Sequence, residues 1–162
     1  MKEINTSKKH TNIRVMWGLV CSLSSIDQER NNFSLFNVIT QVNVPAQDFD
    51  KVKSGGHKGI LIPHSHELVV MLRRMSIQGL NDDELIADLK VSFVNPVGDI
   101  IGEVLTPVKF VSKSKNHGQR INFNSFTIQS EGNYEYKISI MEPGSSGFVD
   151  IYSIPLSVEK LP

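Results

Sequence analysis

The sequence predicts an all-β fold, a single antiparallel β-sandwich of Ig-like or C2-like type with about eight strands. From residue 13 to the end, short segments rich in Val, Ile, Phe and Thr are separated by Gly, Pro, Asn and Asp. Within most segments the apolar residues alternate with a period of two. No segment carries the apolar spacing of an amphipathic helix over three turns. An up-and-down or OB-like barrel is the alternative arrangement of such strands.

The first two strands are predicted over Ile13–Leu23 and Phe33–Val44, joined by the polar stretch Ser24–Asn32. Apolar residues occupy both faces of the second strand, which is typical of a central strand, and Pro45 ends it. The stretch Ala46–Pro63 contains three glycines and no regular pattern, so we expect a long functional or mobile loop there.

The middle of the chain predicts a strand over Leu68–Met75 and a hairpin after it. Ala87–Phe93 has the cleanest alternation of the whole sequence and leads into Asn95–Asp99, where Pro and Gly occupy turn positions. The returning strand, Ile100–Val111, is interrupted by Pro107. Because proline cannot donate to a strand ladder, Pro107 indicates an edge or a bend.

The last strands are predicted over Arg120–Ile128, Tyr134–Ile140 and Phe148–Val158. The apolar residues change parity within the first of these, which predicts a β-bulge near Asn124–Ser125. A helical turn is expected only within Asn81–Leu89, where an Asn followed three residues later by a Glu resembles a helix-capping arrangement.

Length and charge limit the class of protein. The 162 residues suit one domain, predicted over residues 13–162 after a flexible polar tail of residues 1–12. Seventeen basic and seventeen acidic residues weigh against a general binder of polyanions. The single cysteine, Cys21, excludes an intrachain disulfide and lies in an apolar run typical of a core. No apolar leader or membrane-length segment is visible, so we expect a cytoplasmic protein that does not enter a membrane.

Three stretches together resemble a family of small bacterial β-sandwich proteins of unknown function. They are "LVCSLSSIDQERNNFSLFNVITQVNVP" (Leu19–Pro45), "LKVSFVNPVGDIIGE" (Leu89–Glu103) and "FTIQSEGNYEYKISI" (Phe126–Ile140). The resemblance implies a β-sandwich fold. It carries over no catalytic residue, because the family is uncharacterised.

The sharpest chemical motif is the pair His64 and His66. On an extended segment, residues two apart point to the same face, so both imidazoles could meet one metal ion. His57, on the glycine-rich segment Gly55–Gly59, would be the third protein ligand of a catalytic zinc site. A small metal-dependent enzyme or metal-binding protein using these histidines is therefore the alternative hypothesis. The competing interpretation is that they are polar residues leading into a strand.

Two further groups of charged residues are candidate binding sites, although simple surface roles also explain them. Lys109–Arg120 is basic and contains no acid, so it could contact phosphates, but the aromatic platforms of single-strand binders are lacking, which weighs against nucleic acid. The acid pairs Asp48–Asp50 and Asp82–Asp83 could supply calcium ligands in a C2-like site, although calcium needs six to eight oxygens.

No nucleophile, phosphate-binding or dinucleotide motif accompanies these residues. We therefore expect a non-enzymatic module that binds a protein partner or itself, without a cofactor and without an identified small-molecule substrate. Sandwiches bind partners through unpaired edge strands. The candidate edges are the strand broken by Pro107 and the terminal strand around Pro155.

Overall fold

The computed structural model describes residues 11–27, 32–54, 59–75 and 83–162, and within these ranges the chain is all-β. Eleven strands and one short helix are present in the described part, where about eight strands were expected. The strands are β1 (Ile13–Asp27), β2 (Asn32–Val38), β3 (Gln41–Pro45), β4 (Ile60–Ile62), β5 (His66–Arg74), β6 (Leu85–Val94), β7 (Ile100–Phe110), β8 (Asn116–Phe123), β9 (Phe126–Ile128), β10 (Gly132–Met141) and β11 (Val149–Leu161); the helix is α1 (Ala46–Lys53).

A four-stranded antiparallel sheet has the order β2-β1-β5-β8. Its register places Val20, Leu68 and Ile121 side by side across three strands. All three are buried and belong to the core, so the even-numbered stripe of β5 faces inward.

A five-stranded sheet has the order β3-β11-β10-β6-β7. All its pairings are antiparallel except that of β3 with β11, so the expectation of purely antiparallel sheets was wrong at this one pair. The strand β7 lies at an edge, as Pro107 indicated. The terminal strand β11 does not, because β3 pairs with its outer side and Pro155 lies opposite Glu135 of β10.

Both sheets contribute to one apolar core, which also includes residues of the small sheet β4-β9. The largest fully buried side chains include Tyr134 and Tyr136 of β10, Phe110 of β7 and Phe126 of β9. Each such side chain contributes about 1.5–3 kcal/mol to folding when it leaves water. The packing of these faces therefore fixes the positions of the strands that carry the candidate site.

Two of the predicted strands are each two separate strands, which belong to different sheets. Phe33–Val44 breaks after Val38, next to Asn37 with its φ of 51°, and continues as β3 in the other sheet. The apolar character of both its faces therefore comes from two strands and not from one central strand. Arg120–Ile128 likewise consists of β8 and β9, which belong to different sheets. The change of parity marks this switch of sheet, and the predicted bulge at Asn124–Ser125 was wrong.

The first part of the predicted loop Ala46–Pro63 is helical. α1 follows directly from Pro45, and Asp48 lies in its first turn, where a negative charge is favourable. Phe49 is buried and anchors the helix to the core. Residues 55–58 lie outside the described residues, as do residues 81 and 82 of the predicted helical turn; the rest of that turn is extended from Leu85 onward.

The beginning of β2 packs over the outer face of the four-stranded sheet. Phe33 lies edge-on to Trp17, with ring centroids 5.9 Å apart. A Cβ atom at Gly118 of β8 would overlap the ring of Phe33, so glycine is required there for this contact. Of the predicted tail, residues 1–10 lie outside the described part, and the backbone N–H of Asn12 donates to Glu142 Oε1 at 2.6 Å.

Candidate functional site

His66 opens β5 and is almost completely buried, with 1% of its surface exposed. Its Nδ1 lies 2.9 Å from the carbonyl oxygen of His64, and its Nε2 lies 2.8 Å from the hydroxyl oxygen of Tyr136. A carbonyl oxygen only accepts, so Nδ1 carries the proton and donates. In the neutral ring, Nε2 then accepts from the Tyr136 hydroxyl, and both ring nitrogens are used inside the protein.

Two phenylalanine rings stack against His66. Its ring is nearly parallel to that of Phe126, at 3.8 Å between centroids and 8°, and to that of Phe123, at 5.1 Å and 12°. Burial in this apolar surrounding lowers the pKa of His66, while its bond to the His64 carbonyl acts in the opposite direction. Because the pKa is lowered, His66 is neutral near pH 7, and its unprotonated Nε2 can accept from Tyr136.

Tyr136, on β10, carries the partner hydroxyl. Burial raises its pKa, so the phenol stays protonated and can donate to His66. Its ring packs against Phe93 of β6 at 4.6 Å and Phe123 of β8 at 5.5 Å. The hydrogen bond between His66 and Tyr136 thus joins the four-stranded sheet to the five-stranded sheet through the core.

The structure brings two of the three predicted metal-binding histidines close together. The rings of His64 and His66 have centroids 6.5 Å apart and planes 20° apart, but His64 is exposed and His66 is buried. His57 lies outside the described residues. In the part of the chain that the structure does describe, no three His, Cys, Asp or Glu side chains are grouped to hold a metal ion. In this arrangement His66 acts as a buried hydrogen-bonding residue.

A mostly apolar cleft of 230 Å³ opens beside the edge strand β7. The five-stranded sheet supplies one side of it, and Phe123, Ser125 and Thr127 supply the other. Gly102 lines the cleft at a position where an added Cβ would meet no atom within 4 Å. The described residues that line it are Val91, Phe93, Ile101, Gly102, Glu103, Val104, Phe123, Ser125, Thr127 and Tyr136.

The outer edge of β7 has no strand paired to it among the described residues. Pro107 lies opposite Asp88 of β6, and a proline in a ladder is tolerated where its nitrogen faces away from the neighbouring strand. Residues two apart in a strand share the direction of their backbone groups. The N–H and C=O groups of Leu105 and Glu103 therefore also point to the open side.

The other charged candidates are divided among elements. Lys109, on β7, forms an ion pair with Glu84 at 2.8 Å, whereas Arg120 lies on β8 in the other sheet. Asp48 of the predicted calcium site pairs with Lys51 at 2.7 Å, and Asp82 lies outside the described residues. In the described ranges, no helix is long and apolar enough to span a membrane.

Comparison with known proteins assigns no family. No protein-family model matches the chain, and no curated protein matches it. Among solved structures, the chain is similar to the C-terminal domain of wzt, with a TM-score of 0.48 and 9% identity over 94% of this chain and 77% of that one. It is also similar to a family 123 glycoside hydrolase from Clostridium perfringens, with a TM-score of 0.38 and 14% identity over 93% of this chain and 27% of the hydrolase.

Sequence reasoning missed the partners that define this region. Tyr136 was identified only as part of an alternating strand, and nothing local connects it to His66, seventy residues away along the chain. Phe123 and Gly102 carried no signal for a cleft. Pro107 was the available clue, because it identified β7 as an edge and, through its missing N–H, the direction in which the free backbone groups point.

Proposed function

We propose that this chain is a non-enzymatic β-sandwich module that binds another protein by adding an extended segment of that protein to the edge of β7. The observation that supports this most directly is the position of the apolar cleft, which lies beside Ile101–Val104 of β7, a strand with no neighbour on its outer edge among the described residues. Strand addition uses such an edge for affinity and adjacent pockets for specificity.

The hydrogen bonds of the added strand would be made with Glu103 and Leu105. Each offers one N–H and one C=O on the open side, so a partner strand can pair over this half of β7. Pro107 ends the pairing because it has no N–H to donate. At the far half, the ion pair of Lys109 with Glu84 places charged groups along the strand, a common protection of edges.

The side chains of the added strand would alternate between two environments. On the inner side, beside Gly102 and Val104, they reach the cleft and meet Phe93, Tyr136 and Phe123. An apolar side chain of the partner suits this position because most of the lining is apolar. On the outer side they pass Leu105, which is 63% exposed and offers a second apolar contact.

A segment without a sheet of its own fits the cleft better than a second copy of this chain. If β7 paired with β7 of another copy, the inward side chains of both strands would remain in their own cores. The two clefts would then stay unfilled. A free extended segment fills the cleft and satisfies the edge at the same time.

The metal-dependent alternative has less support. It needs a free ring nitrogen on His66, and both are engaged, with the His64 carbonyl and with the Tyr136 hydroxyl. It also needs the third ligand, His57, which lies outside the described residues. Metal content measured on untagged protein, before and after replacing His64, tests it directly.

The proposal is tested with short peptides selected on the wild-type chain from a phage-displayed library. Gly102→Val adds a side chain to the lining of the cleft, and its added Cβ meets no atom within 4 Å, so we expect a folded protein that loses peptide binding at least about ten-fold. Thr106→Val is the matched control, since it adds the same side chain on the same face of β7 beyond the cleft. We expect this control to bind as the wild type does.

Three results would contradict the proposal. The first is a library that yields no saturably binding peptide. The second is equal peptide binding by Gly102→Val and Thr106→Val. The third is a bound peptide that perturbs amides away from β7. Light scattering at two concentrations tests the choice of partner. A wild-type dimer that Gly102→Val converts to a monomer would assign the edge to a second copy and overturn the preference for a separate protein.

A further inference from the structure

A second concave region lies away from the β7 cleft, where the break between β2 and β3 meets β4 and β9. It is an open groove of 420 Å³, within the roughly 300–1,000 Å³ typical of small-molecule sites. Five uncharged polar side chains line it together with one histidine and five apolar residues. The lining consists of Ser22, Asn37, Val38, Ile39, Thr40, Gln41, Val42, Asn43, Ile62, His64 and Phe126.

The chemistry of this lining is selective because, among the described residues, no Asp, Glu, Lys or Arg belongs to it. An anionic ligand would have no permanent cation to pair with, and a cationic ligand would have no carboxylate. Asn37, Gln41 and Asn43 each present an amide that both donates and accepts, and Ser22 and Thr40 present hydroxyls that do the same. Such groups match a ligand whose own polar groups are uncharged and both donate and accept.

The polar groups are held in place by the fold. Gln41 Nε2 donates to Asn43 Oδ1 at 2.7 Å, which aligns two amides along the edge strand β3. Asn37 has a φ of 51°, a left-handed conformation that asparagine adopts more readily than most residues. After it, the N–H of Ile39 donates to the carbonyl of Val20 at 2.8 Å, which fixes the course of the chain into the groove.

The apolar part of the groove includes a supported aromatic surface. The ring of His64 is exposed and nearly parallel to that of Phe126, with centroids 5.9 Å apart and planes 18° apart. Phe126 in turn stacks on the buried ring of His66. A ligand with one apolar face and several hydroxyls would bind with that face against these rings and its hydroxyls toward the amides.

We propose that this groove binds a small uncharged polyhydroxylated molecule of the saccharide class. A saccharide ring has hydroxyls that donate and accept at its rim and C–H groups on its faces, and it carries no net charge. The site is separate from the β7 edge, since the two linings have no residue in common within the described part of the chain. Its occupation therefore does not require that the β7 edge bind a protein.

The experiment is a titration of ¹⁵N-labelled full-length protein followed by ¹H–¹⁵N correlation spectra. The probes are glucose and maltose, with glucuronate as an anionic and protonated glucosamine as a cationic comparison. We expect saturable shifts of the amides from Asn37 to Asn43 and near His64, with the neutral sugars only. Gln41→Ala should weaken binding about five- to ten-fold, the effect of losing one hydrogen bond. Asn122→Ala, an exposed amide outside the groove, should leave binding unchanged.

Each contrary result has a defined meaning. No saturable shift with either neutral sugar, or shifts that map outside the groove, would overturn the proposal. Equal binding by glucuronate or glucosamine would overturn the assignment to an uncharged ligand. Unchanged affinity in Gln41→Ala, whose fold is verified from the undisturbed remainder of the spectrum, would show that the groove does not hold the sugar. Loss of affinity in Asn122→Ala would contradict it in the same way.

Discussion

Replacing Tyr136 with phenylalanine tests the buried hydrogen bond that joins the two sheets. The change removes only the hydroxyl, which donates to His66 Nε2 over 2.8 Å in the core. Water cannot replace the lost donor easily, because His66 is 1% exposed and Tyr136 is 2% exposed. A buried acceptor left without a partner costs about 1–3 kcal/mol of folding free energy.

This cost predicts a measurable fall in thermal stability. In a domain of this length, each kcal/mol corresponds to about 2–4 °C, so Tyr136→Phe should lower Tm by about 2–12 °C. Urea denaturation followed by fluorescence should give a lower midpoint with an unchanged slope. The matched control is Tyr152→Phe, which removes the same atom from a side chain that is 39% exposed and should shift Tm by less.

The comparison of the two tyrosine variants can contradict the role given to the Tyr136 hydroxyl. If Tyr136→Phe and Tyr152→Phe are equally stable, the hydroxyl of Tyr136 does not serve His66. A proton found on Nε2 of His66 in ¹⁵N spectra would contradict the assigned direction, because Nε2 would then donate to the Tyr136 oxygen and not accept from it.

Three other outcomes follow from the packing. Burial lowers the pKa of His66, so the unfolded chain binds more protons than the folded chain as the pH falls below about 6.5. The free energy of unfolding should therefore decrease over that range. His66→Gln should reduce this pH dependence, measured as the urea midpoint. Gly118→Ala should lower the free energy of unfolding by about 1–3 kcal/mol and change the fluorescence of Trp17, because the new Cβ overlaps Phe33. Adding Phe33→Ala should restore part of that stability. If the effects of the two substitutions on stability are additive, the contact is contradicted. Burial raises the pKa of Cys21, so iodoacetamide should modify it far more slowly in the native than in the denatured protein, and equal rates would contradict its burial.

Strand positions were predicted correctly from the sequence where a single strand buries one face. Ala87–Phe93 alternates because β6 lies between β7 and β10 with one side on the core, and the structure confirms it as a strand. The hairpin turn at Asn95–Asp99 was predicted from its proline and glycine, and Gly98 has the positive φ, 95°, that only glycine adopts easily.

Prediction failed where a segment leaves one sheet for the other. The period of two describes one face of one strand and contains no information on which sheet that strand joins. Phe33–Val44 and Arg120–Ile128 both cross between sheets, so their mixed parity was misread as a central strand and as a bulge. The helix α1 was missed because its eight residues bury only one large side chain, Phe49, and give no repeated apolar pattern.

The sequence allowed the edge strand of the candidate site to be predicted, but not the cleft beside it. Pro107 carries a local, physical signal, since a missing N–H limits where the residue can lie in a sheet. The cleft depends on Phe93, Phe123 and Tyr136 meeting across two sheets, which only the tertiary fold decides. For His66, its neighbour at position 64 suggested a metal site, whereas the residue that completes its hydrogen bonding is distant in sequence.

Hydrogen exchange along β7 tests the central claim most directly, because it needs no partner. The account predicts an alternation in the free protein: the amides of Glu103 and Leu105 exchange rapidly, whereas those of Val104 and Thr106, bonded to β6, are protected. A bound peptide should then protect Glu103 and Leu105. Equal protection of all four amides in the free protein would contradict an open edge at this half of β7.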